Sequence, residues 1–491
     1  MLQENQHKTG SYILEKPWVF LLLTGGIILV GYLISIGGLA MAMGLVALPP
    51  ILLFLNRLFV NPKIGLFTVL ILAFTAIGIN RYITGLPLGL SIDIMLILTW
   101  VAVFFKFFNE KLDMAPFKSD LTLLSLVWFI YAVLQFFNPE ALSKTAWFYA
   151  MRGVALYPLL TIPLTYLLFG KVKYLNYYLY IWAIFTILAS IKGWMQLNIG
   201  PDFAEQRWLD QGGAVTHILF GELRVFSFFS DAGQFGAAQG AAGIAGIVLA
   251  INAKTLRNRI LFTLMAVTGL YGMMISGTRG AMIVPMIGGF VYVIHRKNIR
   301  VIILGTLILM GVYSFFKFTY IGQGVAQIRR MRTAFEPEDD ASLQIRLENR
   351  RILQDYLKSR PFGGGIGSAG NWGKRFSPHG FLAQIATDSW YVQIWAEQGV
   401  VGLAFHLLML TYIVVKGSYL IMFKVRDPVL RGKLSALMAA FTGIMGASYG
   451  NGVLGQMPTG ALTYMAWVFM FLAEEFDEEI QLEKQKQLSN K

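Results

Sequence analysis

Cysteine is absent from the 491 residues, which removes disulfides, thiol nucleophiles and thiolate metal sites together. Histidine is scarce: five scattered copies without an HExxH spacing make a zinc centre unexpected, so a metal would have to bind carboxylates. Charge is scarce as well, at 14% of residues against 56% hydrophobic, and that balance excludes a string of soluble domains. Missing too are the weak alternating segments, each about ten residues long, that mark an outer-membrane β-barrel. The N-terminus lacks the short apolar region and small-residue cleavage site of a signal peptide, so no cleavage is expected. No internal repeat is visible.

What the chain has instead is unbroken apolar runs of about 18 to 25 residues, the length a helix needs to cross hydrocarbon. The expected fold is therefore an all-α, polytopic integral membrane protein of about 14 transmembrane helices. Spans are placed at 17–38, 39–60, 64–80, 86–107, 121–137, 150–170, 174–196, 236–252, 258–276, 280–295, 299–316, 390–416, 432–450 and 455–473. Residues 1–16 and 474–491 are expected to be cytoplasmic tails flanking a membrane domain at 17–473. The second tail reads as a solvated extension without a specific role.

The net charge of +14 does not require nucleic acid, because topology accounts for much of it. With the N-terminus cytoplasmic, the inner loops hold Arg57, Lys63, Lys106, Lys111, Lys118, Lys171, Lys173, Lys254, Arg257, Arg259, Arg296, Lys297, Arg300 and the cluster from Lys416 to Lys433. The short outer loops and adjoining helix ends hold only Arg81, Lys144, Arg152, Lys192, Arg207, Arg224 and Arg279. An even number of spans puts both ends inside. Two outer segments are long, 197–235 and 317–389. The second carries eleven Lys and Arg residues, a charge that the positive-inside rule does not explain. Chemistry is expected on that face.

Several residues there ask for an anion. Ser276-Gly277-Thr278-Arg279-Gly280-Ala281 joins two spans with almost no loop, so Ser276 or Thr278 can cap a helix that begins near Arg279. A cation in a first helical turn opposes the positive end of the macrodipole, and a bound anion would relieve it; the plainer alternative is an arginine snorkelling to headgroups. Arg224 precedes a Gly/Ala-rich helix, where Asp231 reads better as an N-cap than as a catalytic acid. Two guanidiniums at one membrane face can bind a diphosphate bidentately.

In the large loop, Leu343, Leu347, Leu353, Tyr356 and Leu357 fit one helix face, with Arg346, Glu348, Arg350 and Asp355 elsewhere. Residues 341–359 are thus either an amphipathic helix lying on the membrane or a packed lid whose arginines face water. Pro361 ends it. Phe362-Gly363-Gly364-Gly365-Ile366-Gly367 follows, a turn that needs positive φ and close approach, without the Lys-Ser/Thr of a P-loop. Asp388 opens the next span, with Glu397 and Gln398 inside it. Asp388 can be an N-cap or a general base for a sugar hydroxyl, and His379, nine residues earlier, is a rival base.

At these residues the sequence resembles the O-antigen polymerase/ligase family of polytopic glycosyltransferases. SGTRGA at 276–281 is similar to the family's Ser-Arg-Gly element. Arg346 is followed after fifteen positions by Pro361 and then GGGIG, and DSWYVQIWAEQG at 388–399 is similar to the family's His-Asn-x-Tyr-Leu-Gln-x-x-x-Glu-x-Gly. Arg224-Val225-Phe226 is a fourth landmark, and the likeness spans about 220–410. It implies a GT-C-like helical fold with a large periplasmic loop, in the bacterial inner membrane. The implied donor is an undecaprenyl-diphosphate-linked glycan, the acceptor a glycan or lipid; no cofactor or metal is implied, and a chain-length regulator is a further partner that such a reaction admits. Arg224, Arg279 and Arg346 would hold the diphosphate, with Arg350 as a further substrate-binding candidate; Asp388, Arg279 and His379 are the catalytic candidates.

Family ligases carry His where Asp388 stands, and Ser389 replaces Asn, so polymerase stands ahead of ligase with Asp388 as the acceptor base. A lipid-linked glycan flippase is the rival of another class, but the charges cluster on one face and no paired Gly/Pro-broken helices occur in matching halves. An inert assembly partner is the third reading.

Topology can be tested on the cysteine-free background. A single cysteine replacing Asp340 should react with a membrane-impermeant maleimide from outside, and cysteines in either tail should not. Labelling of position 340 only from the cytoplasm would overturn the orientation.

Overall fold

The computed structural model describes residues 16–83, 88–109, 115–219, 221–335 and 341–489, without the side chains at 40, 109, 116, 326, 334 and 341–343. In chain order, α1 (Pro17–Val60), α2 (Lys63–Ile79), α3 (Leu90–Asn109) and α4 (Asp120–Leu134) are followed by α5 (Lys144–Met151), which continues through a π-turn into α6 (Tyr157–Phe169), and by α7 (Val172–Asn198). Next come two short helices, α8 (Phe203–Trp208) and α9 (Ala214–His217), and an antiparallel ribbon of β1 (Ile218–Leu219) with β2 (Glu222–Leu223). Then α10 (Ala232–Asn252), α11 (Leu256–Ile275), α12 (Ile283–His295) and α13 (Ile299–Phe318) lead to α14 (Ala326–Arg332), α15 (Ala341–Leu357), α16 (Gly370–Phe376) and α17 (Phe381–Gln384). The chain closes with α18 (Trp390–Tyr419), α19 (Pro428–Ala447), α20 (Thr459–Phe471) and α21 (Ala473–Ser489).

The fold is all-α, and each expected span coincides with helix over most of its length. Among the described residues, ten segments are long and apolar enough to cross a membrane, and α2, 279–295 and α20 are shorter apolar helices. The first two expected spans form one helix, broken at Gly38 (φ 57°, ψ −148°). The span expected at 150–170 starts earlier, because Ser143 caps α5 by accepting the Ala146 N–H at 3.2 Å. Asp231 likewise caps α10, accepting the Gln234 N–H at 2.9 Å, as its reading as an N-cap anticipated.

The core lies among α7, α10, α11, α12 and α19. α10 is buried from Ala232 to Leu249 apart from Ile247, and glycine lets its neighbours touch backbone. A Cβ on Gly246 would stand 2.6 Å from the Ala266 nitrogen, and one on Gly269 of α11 would stand 2.7 Å from the Gly243 nitrogen. By contrast α13 buries no residue and carries no charge between Arg300 and Lys317 near its two ends, the composition of a helix facing hydrocarbon.

The C-terminal segment departs from the expected solvated extension. Phe476 is fully buried, and Asp477 accepts the N–H groups of Arg426 and Asp427 at 2.9 and 2.7 Å. Lys484 pairs with Asp427 at 2.8 Å. Helix α21 is thus tied, from Phe476 to Lys484, across the turn that joins α18 to α19.

Candidate functional site

Arg224 leaves the β-ribbon on a turn held from below by Arg81. That guanidinium lies between the rings of Trp208 and Phe226, 4.6 and 4.5 Å from their centroids, and donates to the carbonyls of Ser227, at 2.8 Å, and Phe229. Gln196 accepts the N–H groups of Phe226 and Ser227 at 3.2 and 2.8 Å, fixing Ser227 at φ 52°. With its turn so fixed, Arg224 donates to Thr278 Oγ1 and to the Thr216 carbonyl, each at 3.0 Å. Its Nε is buried without a hydrogen-bond partner among the described residues.

The 276–281 segment is organised differently from the cap expected there. Thr278 occupies the cap position without a capping bond; its hydroxyl donates to the Ala232 carbonyl at 2.9 Å while receiving Arg224. Arg279 begins a 3₁₀ turn ahead of α12 and reaches Thr333 Oγ1 at 3.4 Å. Thr333 in turn donates to the Arg330 carbonyl at 2.8 Å, bringing in a residue that sequence reasoning passed over. Arg332, buried, anchors this helix by donating to the carbonyls of Phe315 and Phe316 at the end of α13, at 3.0 and 3.1 Å.

Arg224, Arg279 and Arg330 therefore converge. A Cβ added to Gly277 (φ 58°) would meet Arg330 Cδ at 3.4 Å and Arg224 Cγ at 4.0 Å. Burial, reinforced by Arg224 and Arg279, pulls the Arg330 guanidinium down to about 10. Burial also lowers Arg224, where Asp231 opposes and the charges of Arg279 and Arg346 add to the effect. Cations held together against repulsion in a partly dry corner are suited to a multiply charged anion.

Asp388 is not the N-cap of α18. Ser389 is, accepting the Val392 N–H at 3.4 Å and donating to the Ser448 carbonyl at 3.2 Å. This leaves Asp388 half exposed and paired with Arg346, Nε to Oδ2 at 3.2 Å. Arg350 donates to the Tyr449 hydroxyl at 2.5 Å and lies over its ring. Both contacts are solvent-accessible, so these arginines touch protein groups and water alike. The apolar face of α15 is divided: Leu353 and Leu357 are buried against Leu382 and Ala396, Leu347 stays exposed, and Leu343 falls outside the described side chains. The C-terminal half of that face therefore packs on protein.

The glycine run behaves as expected. Gly363, Gly365 and Gly367 have φ of 72°, 90° and 85°, and the Gly364 and Gly365 N–H groups donate to the carbonyls of Ala396 and Glu397 at 2.9 and 2.8 Å. They dock where α18 breaks at Gly399 (φ 67°), so close that a Cβ on Gly399 would collide with the Pro361 carbonyl. Buried Glu397 accepts the Ala369 N–H at 3.2 Å.

Asp388 also lines a cavity of about 440 Å³ with Tyr149, Arg152, Trp372, Gln393 and Gln456 among others. His379 is exposed and is not among the lining residues. The described residues contain no cluster of His, Asp and Glu that could hold a metal.

Fold and site together define a multi-pass, all-α membrane protein with a cationic corner beside a carboxylate at one end of its bundle. Residues 264–407 match the family model described as O-antigen ligase. The match covers less than a third of the 491 residues but includes Arg279, Arg330, Arg346, Asp388 and Glu397, and it supports the O-antigen polymerase/ligase family for this chain. Arg224 lies outside it. No curated protein matches the chain.

If the corner is an anion site, purified protein should bind inorganic diphosphate. Arg330→Ala should weaken that binding about tenfold, the worth of one charge-assisted contact. Arg329→Ala, an exposed neighbour, should change it by less than about twofold. Equal effects in isothermal titration would show that net charge alone, without the geometry, is responsible.

Proposed function

We propose that this chain is a glycosyltransferase that takes glycan from an undecaprenyl-diphosphate-linked donor and joins it to an acceptor hydroxyl. The work would be done at the periplasmic face of the bacterial inner membrane, building a cell-surface polysaccharide such as O-antigen or exopolysaccharide. The observation that carries the reading is the convergence of Arg224, Arg279 and Arg330 near the Arg346–Asp388 pair, on residues that mostly lie within the family match.

The acceptor oxygen forms a bond to the donor's anomeric carbon as the bond from that carbon to the diphosphate oxygen breaks. The acceptor's proton passes to the Asp388 carboxylate. Negative charge grows on the departing diphosphate, and guanidiniums already fixed in place stabilise it without reorganising. Arg346 stands between the two halves: it donates to Asp388, and its charge is felt at Arg224. No step needs a metal if the arginines carry this charge. The polyprenyl tail would lie along the apolar helices. Polymerisation is favoured over ligation because Asp388 and Ser389 replace the His and Asn of family ligases.

Gel analysis of surface glycan with and without the gene separates the alternatives. Loss of the length ladder is the expected result and means polymerase. Lipid-linked polymer that is retained but unattached means ligase, and accumulated unflipped units mean a flippase. Within the reading, Arg279→Lys should abolish transfer while the protein stays in the membrane, because lysine keeps charge but loses the bidentate fork. Asp388→Asn should abolish transfer and retain donor binding, and since Ser389 holds the cap, helix stability does not complicate the comparison. Full turnover in either variant contradicts the role assigned to that residue.

A further inference from the structure

We infer that the cavity beside Asp388 is the subsite for the sugar residues of the acceptor glycan. The inference rests on the transfer reading above and adds to it where the attacking sugar is held. At about 440 Å³ the cavity is within the range of small-ligand sites.

Its walls have the chemistry that a pyranose ring requires. One is aromatic: Tyr149 and Trp372 stack at 5.0 Å with 17° between their planes, and Phe376, outside the lining, braces Tyr149 from 5.4 Å at 9°. Flat aromatic faces take the apolar C–H face of a sugar at low entropic cost, since the rings already brace one another. The remaining wall is rich in neutral hydrogen-bonding groups. Gln393 and Asn371 offer amides, and Gln456 Oε1 is held by the Ser230 hydroxyl at 3.1 Å. Thr387 contributes a hydroxyl that is buried without a partner among the described residues. Such an orphan is costly unless something satisfies it, and a polyol can.

Charge within the cavity is largely compensated. Arg152 pairs with Asp93 at 3.2 Å, and Asp388 with Arg346, leaving exposed Lys374 at the margin. A diphosphate thus belongs in the arginine corner and a hydroxylated ring in the cavity. Asp388 borders both the cavity and the pocket that holds Arg346 and Arg350, so a hydroxyl of a bound sugar meets the carboxylate proposed to accept its proton.

The test uses the full chain in lipid nanodiscs and, as probe, the oligosaccharides released by mild acid from the source organism's own polyprenyl-linked lipids. These carry sugar without diphosphate. In saturation-transfer difference NMR the wild-type chain should bind them, and Trp372→Ala and Gln393→Ala should each weaken binding about tenfold. Trp372→Phe, which keeps a ring, should restore most of it, a recovery that a merely misfolded loop would not show. Arg279→Ala should bind the probe like wild type despite having lost transfer. Undiminished binding by Trp372→Ala, absence of binding to wild type, or equal loss in Arg279→Ala overturns the inference. Trp372-dependent sugar binding by a chain that transfers no glycan leaves the glycan subsite standing and sinks the transfer reading alone.

Discussion

The close backbone approach of α10 to its neighbours is the constraint on which the rest depends. Between helices in lipid there is no hydrophobic driving force, and association relies on van der Waals contact, which grows as backbones come together. Glycine and alanine along α10 permit that contact with α11, and at the mouth of the bundle Gly236 leaves no room beyond Ser276, whose hydroxyl would meet a Cβ there. The segments leaving the two helices are thereby brought to one corner. Thr278 reaches the Ala232 carbonyl, Arg224 reaches Thr278, and Arg279 follows directly in the chain. A charge cluster that repels itself is held by the packing of uncharged residues between helices, with Arg81 and Arg332 bracing its approaches.

A second docking completes the arrangement. The glycine run at 363–367 seats on the break in α18, and Glu397 secures the following turn from inside the helix. The same helix begins just after Asp388, at its cap Ser389, and is pinned to the end of α19 through the Ser448 carbonyl, which receives both the Trp390 N–H at 3.0 Å and the Ser389 hydroxyl. The carboxylate therefore stands at the entrance of an element clamped at two places, while its partner Arg346 stands on α15, whose buried leucines among the described side chains, Leu353 and Leu357, lie in its C-terminal half. A fixed carboxylate with a more loosely held arginine suits the proposed role of admitting a large anionic lipid.

Most of the helices were legible in the sequence because the hydrocarbon imposes a length and an apolar composition that few other constraints mimic. Asp231 as a cap and the glycine run as a tight turn were legible for a related reason: local chemistry alone determines them. Arg330 was not, since a run of arginines in a loop gives no sign of which one turns inward; only the anchoring of Arg332 to the end of α13 settles that. Asp388 and Ser389 are adjacent and both able to cap, so the choice between them needed the Ser448 carbonyl, which lies 59 residues away along the chain. The Tyr149–Trp372 wall joins residues too distant in sequence for any motif to connect. The docked α21 was missed because its charges suggest solvent, whereas Asp477 is spent on two backbone N–H groups.

The central claim is that the arginine corner holds a lipid diphosphate beside Asp388. A cryo-electron microscopy map of the full chain in nanodiscs with undecaprenyl diphosphate tests it most directly. The account predicts phosphate oxygens within hydrogen-bonding distance, about 3 Å, of Arg224, Arg279 and Arg330, with the prenyl chain running down the apolar helices. A diphosphate found instead at the opposite end of the bundle, near Lys254 and Arg296, would contradict it.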